Sequence, residues 1–524
     1  MYHRWILRCL VILMFLGAVT EASAQHESRK PNVLIILADD MGYSDLGCYG
    51  GEIQTPNLNQ LALNGLRYTQ FYNTTRCWPS RAAILTGYYA MQVRRDTVPG
   101  YIGNGMYGVR PGWAPLLPDL LKPMGYKTYH SGKWHLDGSP TRSGFDRSYR
   151  LDDHDRYFCP RLHAEDDRPL PAVKPDSGYY ATTAIADHAI NYLKEHAAQY
   201  PQRPFFEYLA FTSPHFPLQA LPEDIARYRN RYVDGWDIMR RRRLNRMKAL
   251  GIVQCELSPR TPGVPAWETL TAVEKRKWAD RMALHAAMVD RMDQEIGRVI
   301  AQLKAMGAFE NTVIFFLSDN GASAEKMVRG DGNDPNAAPG SAKSYLCLET
   351  GWANLSNAPL RLSKIFVHEG GISTPLIVHW PAGLKVKGQL RSNPSHLIDL
   401  APTILELAGG KKPNTWRGQP VPPAPGRSLV PSFVNDGSVK HDYLWWFHER
   451  NRAIRMGDWK LVAEQFNTPW ELYNLNTDRS ETHNLASQYP ERVKQMEQAW
   501  NAHMKEFREL AIRDMPSEPV AQGR

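Results

Sequence analysis

Asn32-Val33-Leu34-Ile35-Ile36-Leu37 is an unbroken apolar run that ends in Ala38-Asp39-Asp40. A strand this uniformly apolar is buried on both faces, as in a parallel sheet covered by helices, and its first polar side chains emerge at its carboxyl end. Two later runs repeat the pattern. Phe205-Phe206-Glu207-Tyr208-Leu209-Ala210-Phe211 leads into Thr212-Ser213-Pro214-His215, and Thr312-Val313-Ile314-Phe315-Phe316-Leu317 into Ser318-Asp319-Asn320-Gly321. Between them, Met288, Met292, Ile296, Val299 and Leu303 share one face of a helix predicted over 281–306, with Gly307 as its stop. Strands alternating with helices indicate an α/β domain around a largely parallel sheet. In such sheets, sites form beyond the carboxyl ends of the strands, where these carboxylates and histidines lie.

The 524 residues exceed one small core, so more than one domain is expected. Residues 1–24 read as a secretory signal: Arg4 and Arg8 precede the apolar run Leu10 to Val19, and Ala22-Ser23-Ala24 is a small-residue cleavage site. The run is short for a membrane span, and no later segment approaches one. An uncleaved N-terminal anchor is the rival reading; otherwise the protein is exported, periplasmic or secreted, without stable membrane insertion. Residues 25–425 form the expected catalytic domain. The stretch 410–430, with Pro413, Pro420, Pro422, Pro423 and Pro425, reads as a boundary loop. Residues 426–524 form a small α+β subdomain, with strand-like runs at Tyr443 to Phe447, Ala453 to Met456, Trp459 to Val462 and Trp470 to Tyr473 and a closing helix from Glu491 to Ala511.

The net charge of +9 favours anionic partners. The run Arg240-Arg241-Arg242-Arg243 is either a solvated helix face or a salt-bridged insertion, or else a basic rim that steers polyanions. It has no interleaved aromatics or nucleic-acid motif, so nucleic-acid binding is not expected. An exported chain with Cys48, Cys77, Cys159, Cys255 and Cys347 has an odd count, which sets one thiol apart. The other four allow three pairings or free thiols, and no CxxC pair suggests zinc. Asn73-Thr74-Thr75 and Asn354-Leu355-Ser356 are formal glycosylation sequons, the first so near Cys77 that it reads as fortuitous.

Asp39, Asp40, Asp319 and Asn320 offer three carboxylates and an amide oxygen from two strand ends. This all-oxygen set suits Ca²⁺ or Mg²⁺, though an Asp-Asp pair after a strand also serves turns and caps. Ser80 to Gly87 reads as the start of a helix, which puts Cys77 near a helix N-terminus, where N–H groups favour an anion. Alone, Cys77 would be a buried structural thiol or a thiolate nucleophile. Lys133 and His135, two apart on the extended segment Tyr129 to His135, can face one side and suit anion binding with proton transfer. His215 follows a strand, and Lys364 precedes Glu369-Gly370-Gly371.

In order along the chain, Asp39-Asp40-Met41-Gly42-Tyr43-Ser44-Asp45, Cys77-Trp78-Pro79-Ser80-Arg81, Gly132-Lys133-Trp134-His135, Ser213-Pro214-His215, Ser318-Asp319-Asn320-Gly321 and Leu360-Arg361-x-x-Lys364 resemble the motifs of the type I, formylglycine-dependent sulfatases. Gly457-Asp458-Trp459-Lys460-Leu461 and Glu471-Leu472-Tyr473-Asn474-Leu475 resemble that family's small domain. The resemblance implies an alkaline-phosphatase-like fold: a mixed, mostly parallel sheet flanked by helices, with a small C-terminal α+β subdomain. It implies that a formylglycine-generating maturation enzyme converts Cys77 to formylglycine, whose hydrate attacks the sulfur of a sulfate ester. Asp39, Asp40, residue 77, Asp319 and Asn320 would hold one Ca²⁺. Arg81 and Lys133 would hold the hydrate and the anionic oxygens, His215 and Lys364 would serve the leaving group, and His135 would take a proton. One departure is Leu362-Ser363 with Ile365, where many members carry glycines around the lysine.

The expectation is therefore an arylsulfatase-like sulfuric ester hydrolase acting on a sulfated carbohydrate or a small aryl sulfate. Three alternatives stand beside it: a phosphomonoester or phosphodiester hydrolase on the same scaffold, a non-catalytic binder of sulfated glycans, and a hydrolase using the Cys77 thiolate.

Overall fold

The computed structural model describes residues 30–101, 103–329 and 333–515. The segment 1–24, with the expected export signal, lies outside them. Among the described residues, eleven strands form one sheet: β1 (Asn32–Ala38), β2 (Leu66–Tyr72), β3 (Lys127–Gly132), β4 (Arg147–Leu151), β5 (His163–Glu165), β6 (Arg168–Pro169), β7 (Phe205–Ala210), β8 (Thr312–Ser318), β9 (Ser373–His379), β10 (Gln389–Arg391) and β11 (Ser395–His396). Their spatial order is β10-β2-β9-β8-β1-β7-β3-β4-β5-β6, with β11 beside β2. The five strands β8-β1-β7-β3-β4 are mutually parallel, and β9 joins them antiparallel. The sheet is thus mixed and mostly parallel at its centre.

The apolar run of β1 explains its central position. Leu34, Ile36 and Ala38 belong to a core shared with the helices Ala181–Gln199 and Ala272–Ala305, whereas Val33, Ile35 and Leu37 belong to the core on the opposite face. A strand with water on one face would alternate polar and apolar residues; β1 has none to spare. The helix predicted over 281–306 begins earlier, at Ala272, where Thr271 and Glu274 form a capping box. It ends at Ala305, and Gly307 takes a left-handed φ of 68° just beyond it.

In the Pro-rich stretch 410–430, β12 (Thr415–Trp416) and β13 (Gln419–Pro420) make a short hairpin. The C-terminal strands β14 (Leu444–His448), β15 (Asn451–Met456), β16 (Trp459–Ala463) and β17 (Glu471–Asn474) form an antiparallel sheet, followed by the helix Pro490–Ile512. Trp445, Phe447, Ile454, Trp500 and Phe507 from this region join the same apolar cluster as Leu37 and Phe315 of the central sheet.

The arginine run lies on the helix Gly235–Ala249 and is not a basic rim at its two inward positions. Arg243 is buried against Asp45 and Glu52, at 2.7 Å from each, and Arg240 donates to the Ser258 carbonyl at 2.7 Å. These guanidiniums tie an insertion to the core. The five cysteines of the described residues are all free. Both sequon asparagines are buried and hydrogen-bonded inside, Asn73 to Thr374 at 2.8 Å and Asn354 to Thr261 at 2.7 Å, which removes them as glycan acceptors in the folded chain. No helix among the described residues is long and apolar enough to cross a membrane.

Candidate active site

Because β8, β1, β7 and β3 are neighbours and parallel, their carboxyl ends open side by side. Asp319 and Asn320 follow β8, Asp39 and Asp40 follow β1, His215 follows β7, and Lys133 follows β3. Cys77 is the first residue of the helix Cys77–Thr86, and Arg81 lies one turn further on. Adjacent residues of a strand normally point to opposite faces. Asp40 escapes that rule with a φ of 67°, so both aspartates turn into one site. Ligand atoms of Asp39, Asp40, Cys77 and His215 all lie within 4.8 Å of one another.

Cations close around the carboxylates. Lys133 Nζ is 2.5 Å from Asp39 Oδ2, Lys364 Nζ is 2.9 Å from Asp40 Oδ2, and Arg81 reaches Asp319 at 3.0 Å and Asp39 at 3.5 Å. Asn320 donates from Nδ2 to Asp40 at 2.7 Å, the Cys77 thiol donates to Asp39 at 3.4 Å, and His215 Nε2 is 3.7 Å from Asp40. Asp319 stands outside the tightest group: one oxygen accepts from the Asp40 N–H at 3.2 Å and the other from Arg81.

These contacts set the charges. Burial alone would raise the Asp39 carboxyl, but Lys133, His215 and Arg81 outweigh it and hold Asp39 well below the usual range. Asp40 is pushed up, because burial and Asp39 prevail over Lys364. Asp319 is pushed up to about 7 by burial and by Asp39, against the pull of Arg81. Burial, reinforced by Lys364 at His215 and by Lys133 at His135, drives both imidazoles down. The Cys77 thiol is pushed up by burial and by Asp39, unfavourable to a thiolate.

The reading of Lys133 and His135 as alternate residues of one extended segment is corrected. The strand β3 stops at Gly132, and His135 has a left-handed φ of 56°. The two residues nonetheless line one cavity of about 330 Å³. His135 packs edge-on to Trp78 at 5.5 Å, and neither of its ring nitrogens has a hydrogen-bond partner among the described residues.

Around Lys364, the departure from the family's glycines has a backbone counterpart. Leu362 and Ile365 adopt φ of 64° and 83°, the region where glycine is at ease and a β-branched residue is strained. The loop is pinned by hydrogen bonds from the Lys364 N–H to Ala322 O at 3.2 Å and from the Ile365 N–H to Thr75 O at 3.0 Å.

Sequence reasoning missed Glu325 and Arg76. Glu325 is 3.1 Å from Lys364 and 2.9 Å from Arg76, and these cations hold its carboxyl down at about 2 although burial opposes them. It also missed His154, whose ring lies 5.8 Å from that of His135 and 5.4 Å from that of His215. Neither Glu325 nor His154 belongs to a periodic segment; only the adjacency of both to strand ends could have singled them out.

The donor set fits a hard divalent cation. Three buried carboxylates crowd together, with two of them pushed up by burial and by Asp39. Asn320 Oδ1 is buried beside them with no hydrogen-bond partner among the described residues.

Comparison with known proteins adds independent support. The family model described as Sulfatase matches residues 31–410, and that described as N-sulphoglucosamine sulphohydrolase, C-terminal, matches residues 361–509. An uncharacterized sulfatase of Schizosaccharomyces pombe is 34% identical over 526 residues, covering 91% of this chain and 94% of that one. The arylsulfatase of Klebsiella aerogenes is 34% identical over 440 residues, covering 78% and 92%. Among solved structures, that of Ps i-CgsB in complex with k-i-k-neocarrahexaose superposes with a TM-score of 0.65 at 25% identity, covering 91% of this chain and 93% of that one. The mixed sheet with its small antiparallel C-terminal sheet is thus the alkaline-phosphatase-like fold, and the chain belongs to the sulfatase family, hydrolases of sulfuric esters.

Proposed function

We propose that the protein releases inorganic sulfate from a sulfate monoester of a carbohydrate, and from small aryl sulfates, with residue 77 as formylglycine and one Ca²⁺ as its groups. The observation that carries this reading is the buried convergence of Asp39, Asp40, Cys77 and His215 within a ring of Lys133, Lys364 and Arg81. Ps i-CgsB was solved with a bound carbohydrate, which supports the carbohydrate half.

In this reading, Asp39, Asp40, Asp319, Asn320 and residue 77 would hold the ion, which would supply positive charge beside the sulfuryl group and beside a hydroxyl of hydrated residue 77. Arg81 and Lys133 orient the side chain of residue 77 and receive sulfuryl oxygens, a role consistent with their 3.5 Å and 2.5 Å contacts to Asp39. Lys364 and His215 meet the leaving-group side; Lys364 stays an ammonium because Asp40 and Glu325 outweigh the burial that opposes its charge. His135 would accept a proton from residue 77: burial and Lys133 keep its imidazole neutral, and neither ring nitrogen has a hydrogen-bond partner among the described residues. The maturation partner acts on Cys77-Trp78-Pro79-Ser80-Arg81, and the signal-like residues 1–24 support action outside the cytoplasm, in the periplasm or as a secreted protein.

Peptide mass spectrometry of the natural protein tests the reading. The peptide holding residue 77 is expected about 18 Da lighter than its thiol form, whereas the oxidation ladder would add mass. An ordinary thiol at full sulfatase turnover would overturn it. A strong preference for phosphate over sulfate esters would favour the phosphoesterase alternative.

A further inference from the structure

The roles above account for the sulfate group, the atom that attacks it and the leaving oxygen, but leave the rest of the alcohol without a named protein contact. Geometry limits where that portion lies. The sulfate faces Lys133, His215 and Lys364, all buried, so the remainder of the ester extends outward into the cavities above them. One, of about 330 Å³, is lined by Lys133, His135, His154, Arg95, Arg150 and Asp152. A second, of about 400 Å³, begins at the next residues, Asp155 and Arg156, and includes Arg329 and Tyr345. Phe216 joins the second cavity to the sulfate end: its ring stacks on His215 at 4.1 Å, and the Arg329 guanidinium lies over it at 5.2 Å.

His154 stands on the ridge between the two cavities. It follows β4, parallel to β3, so the same sheet geometry that delivers Lys133 delivers His154 to this end. Its ring is edge-on to His215 at 5.4 Å and tilted towards His135 at 5.8 Å, one layer outside the two imidazoles of the site. The side chain remains 18% exposed, whereas that of His215 is 2% exposed. Nδ1 donates to the Asp152 carbonyl at 3.1 Å, which fixes the ring orientation. Nε2 lies 3.9 Å from the Asp155 carboxylate, beyond hydrogen-bond reach, and makes no hydrogen bond among the described residues.

We propose that His154 is a specificity-determining residue whose Nε2 contacts a hydroxyl next to the sulfated carbon, so that the site selects sulfate esters of polyhydroxylated alcohols, the sugars, over phenols. The inference rests on the sulfatase reading of the same site. A hydroxyl both donates and accepts, so the contact forms whichever way the imidazole is protonated. A phenyl ring offers no such group and leaves Nε2 unpaired against the substrate, the kind of mismatch by which polar sites discriminate.

The test compares the wild type with His154→Ala and His154→Gln on 4-nitrophenyl sulfate and on a panel of hexose and hexosamine monosulfates bearing the ester at each ring position. The wild type is expected to turn over both classes. In His154→Ala, kcat/KM for the best sugar sulfate is expected to fall about 10-fold further than kcat/KM for 4-nitrophenyl sulfate, mainly through KM. His154→Gln is expected to recover part of that difference, since its amide can replace the hydrogen bond. Equal losses on both substrates, or none, would overturn the role of His154, as would a wild type that accepts the aryl ester but no sugar sulfate of the panel. A wild type inactive on every sulfate ester would instead defeat the sulfatase reading itself.

Discussion

Two buried clusters of charge arise from the same stretch of chain, six residues apart, and they are built oppositely. Around Asp45, every carboxylate oxygen has its cation or donor: Arg243 at 2.7 Å on one, His285 at 2.9 Å and the Gly42 N–H at 3.0 Å on the other. Glu52 is matched in the same way, with Arg243 on both oxygens and Arg246 at 3.1 Å. The aspartate is accordingly held far below its ordinary value: burial opposes its charge, but His285 and Arg243 prevail. Around Asp39 every carboxylate oxygen also has a donor or cation, but three carboxylates crowd on one another, and burial and Asp39 push Asp40 and Asp319 up. Carboxylates matched to their own cations are architecture; carboxylates crowded together, with shifted protonation, mark a site for ligands.

The sharpest way to break this contrast is to remove the central group of the crowded cluster. Cys77→Ala is expected to lower sulfatase turnover by more than about 10³-fold, the scale of losing a nucleophile. Its unfolding midpoint should remain close to wild type, since one small side chain is lost. Retained turnover would defeat the assignment of residue 77. Removing the shared cation of the Asp45 cluster should do the reverse. Arg243→Met leaves Asp45 and Glu52 buried without their guanidinium and should destabilise the fold by about 3–5 kcal/mol in denaturant unfolding. The fraction that remains folded should keep its KM.

The pH dependence of stability separates the clusters further. Asp319 has a folded value raised to about 7. Its contribution to stability is therefore fully present below the unfolded value, near about 3.9, and is lost as pH rises towards 7. Protein stripped of divalent ions is expected to melt lower at pH 8 than at pH 5, and Ca²⁺ should restore more at pH 8. The sign is opposite for Asp45, whose depressed value makes its contribution available above about 3.9 and lost as the solution becomes more acid. A melting temperature of stripped protein that does not respond to Ca²⁺ at either pH would remove the case for the ion.

The smallest effect concerns a carboxyl that belongs to neither cluster. Glu207 is fully buried in β7, its oxygens have no hydrogen-bond partner among the described residues, and burial pushes it well above its ordinary value. Glu207→Met should stabilise the fold by about 1 kcal/mol at pH 7, and the gain should shrink as the pH is lowered. A loss of stability would mean that Glu207 has a role the geometry conceals.

Much of this arrangement is legible in the sequence because the parallel core writes it plainly. Apolar strands closed by Asp39-Asp40, His215 and Asp319-Asn320 announce both the sheet and the end where chemistry gathers. The rest depends on departures from periodicity. Lys133 and His135 do share a cavity, but not by alternation along one strand, because Gly132 and His135 turn the backbone left-handed. Four arginines in a row allow a salt-bridged insertion without saying which turn inward; Arg240 and Arg243, one helical turn apart, face carboxylates and carbonyls from distant parts of the chain. Glu325 and His154 lie in loops whose path is set by strands far away in sequence, and local pattern carries no mark of that path.

The burial of Cys77 has a consequence in time. Only 2% of the residue is exposed, and Trp446 of the C-terminal sheet donates its indole N–H at 2.8 Å to the carbonyl of Asn73, clasping the approach to the helix that Cys77 begins. The last fifth of the chain to be synthesised thus bolts the door on a residue made near the start. Under the proposed conversion of Cys77, a macromolecule that alters this residue would have to arrive before that bolt is drawn, so the order of events during biosynthesis would govern the yield of modified protein.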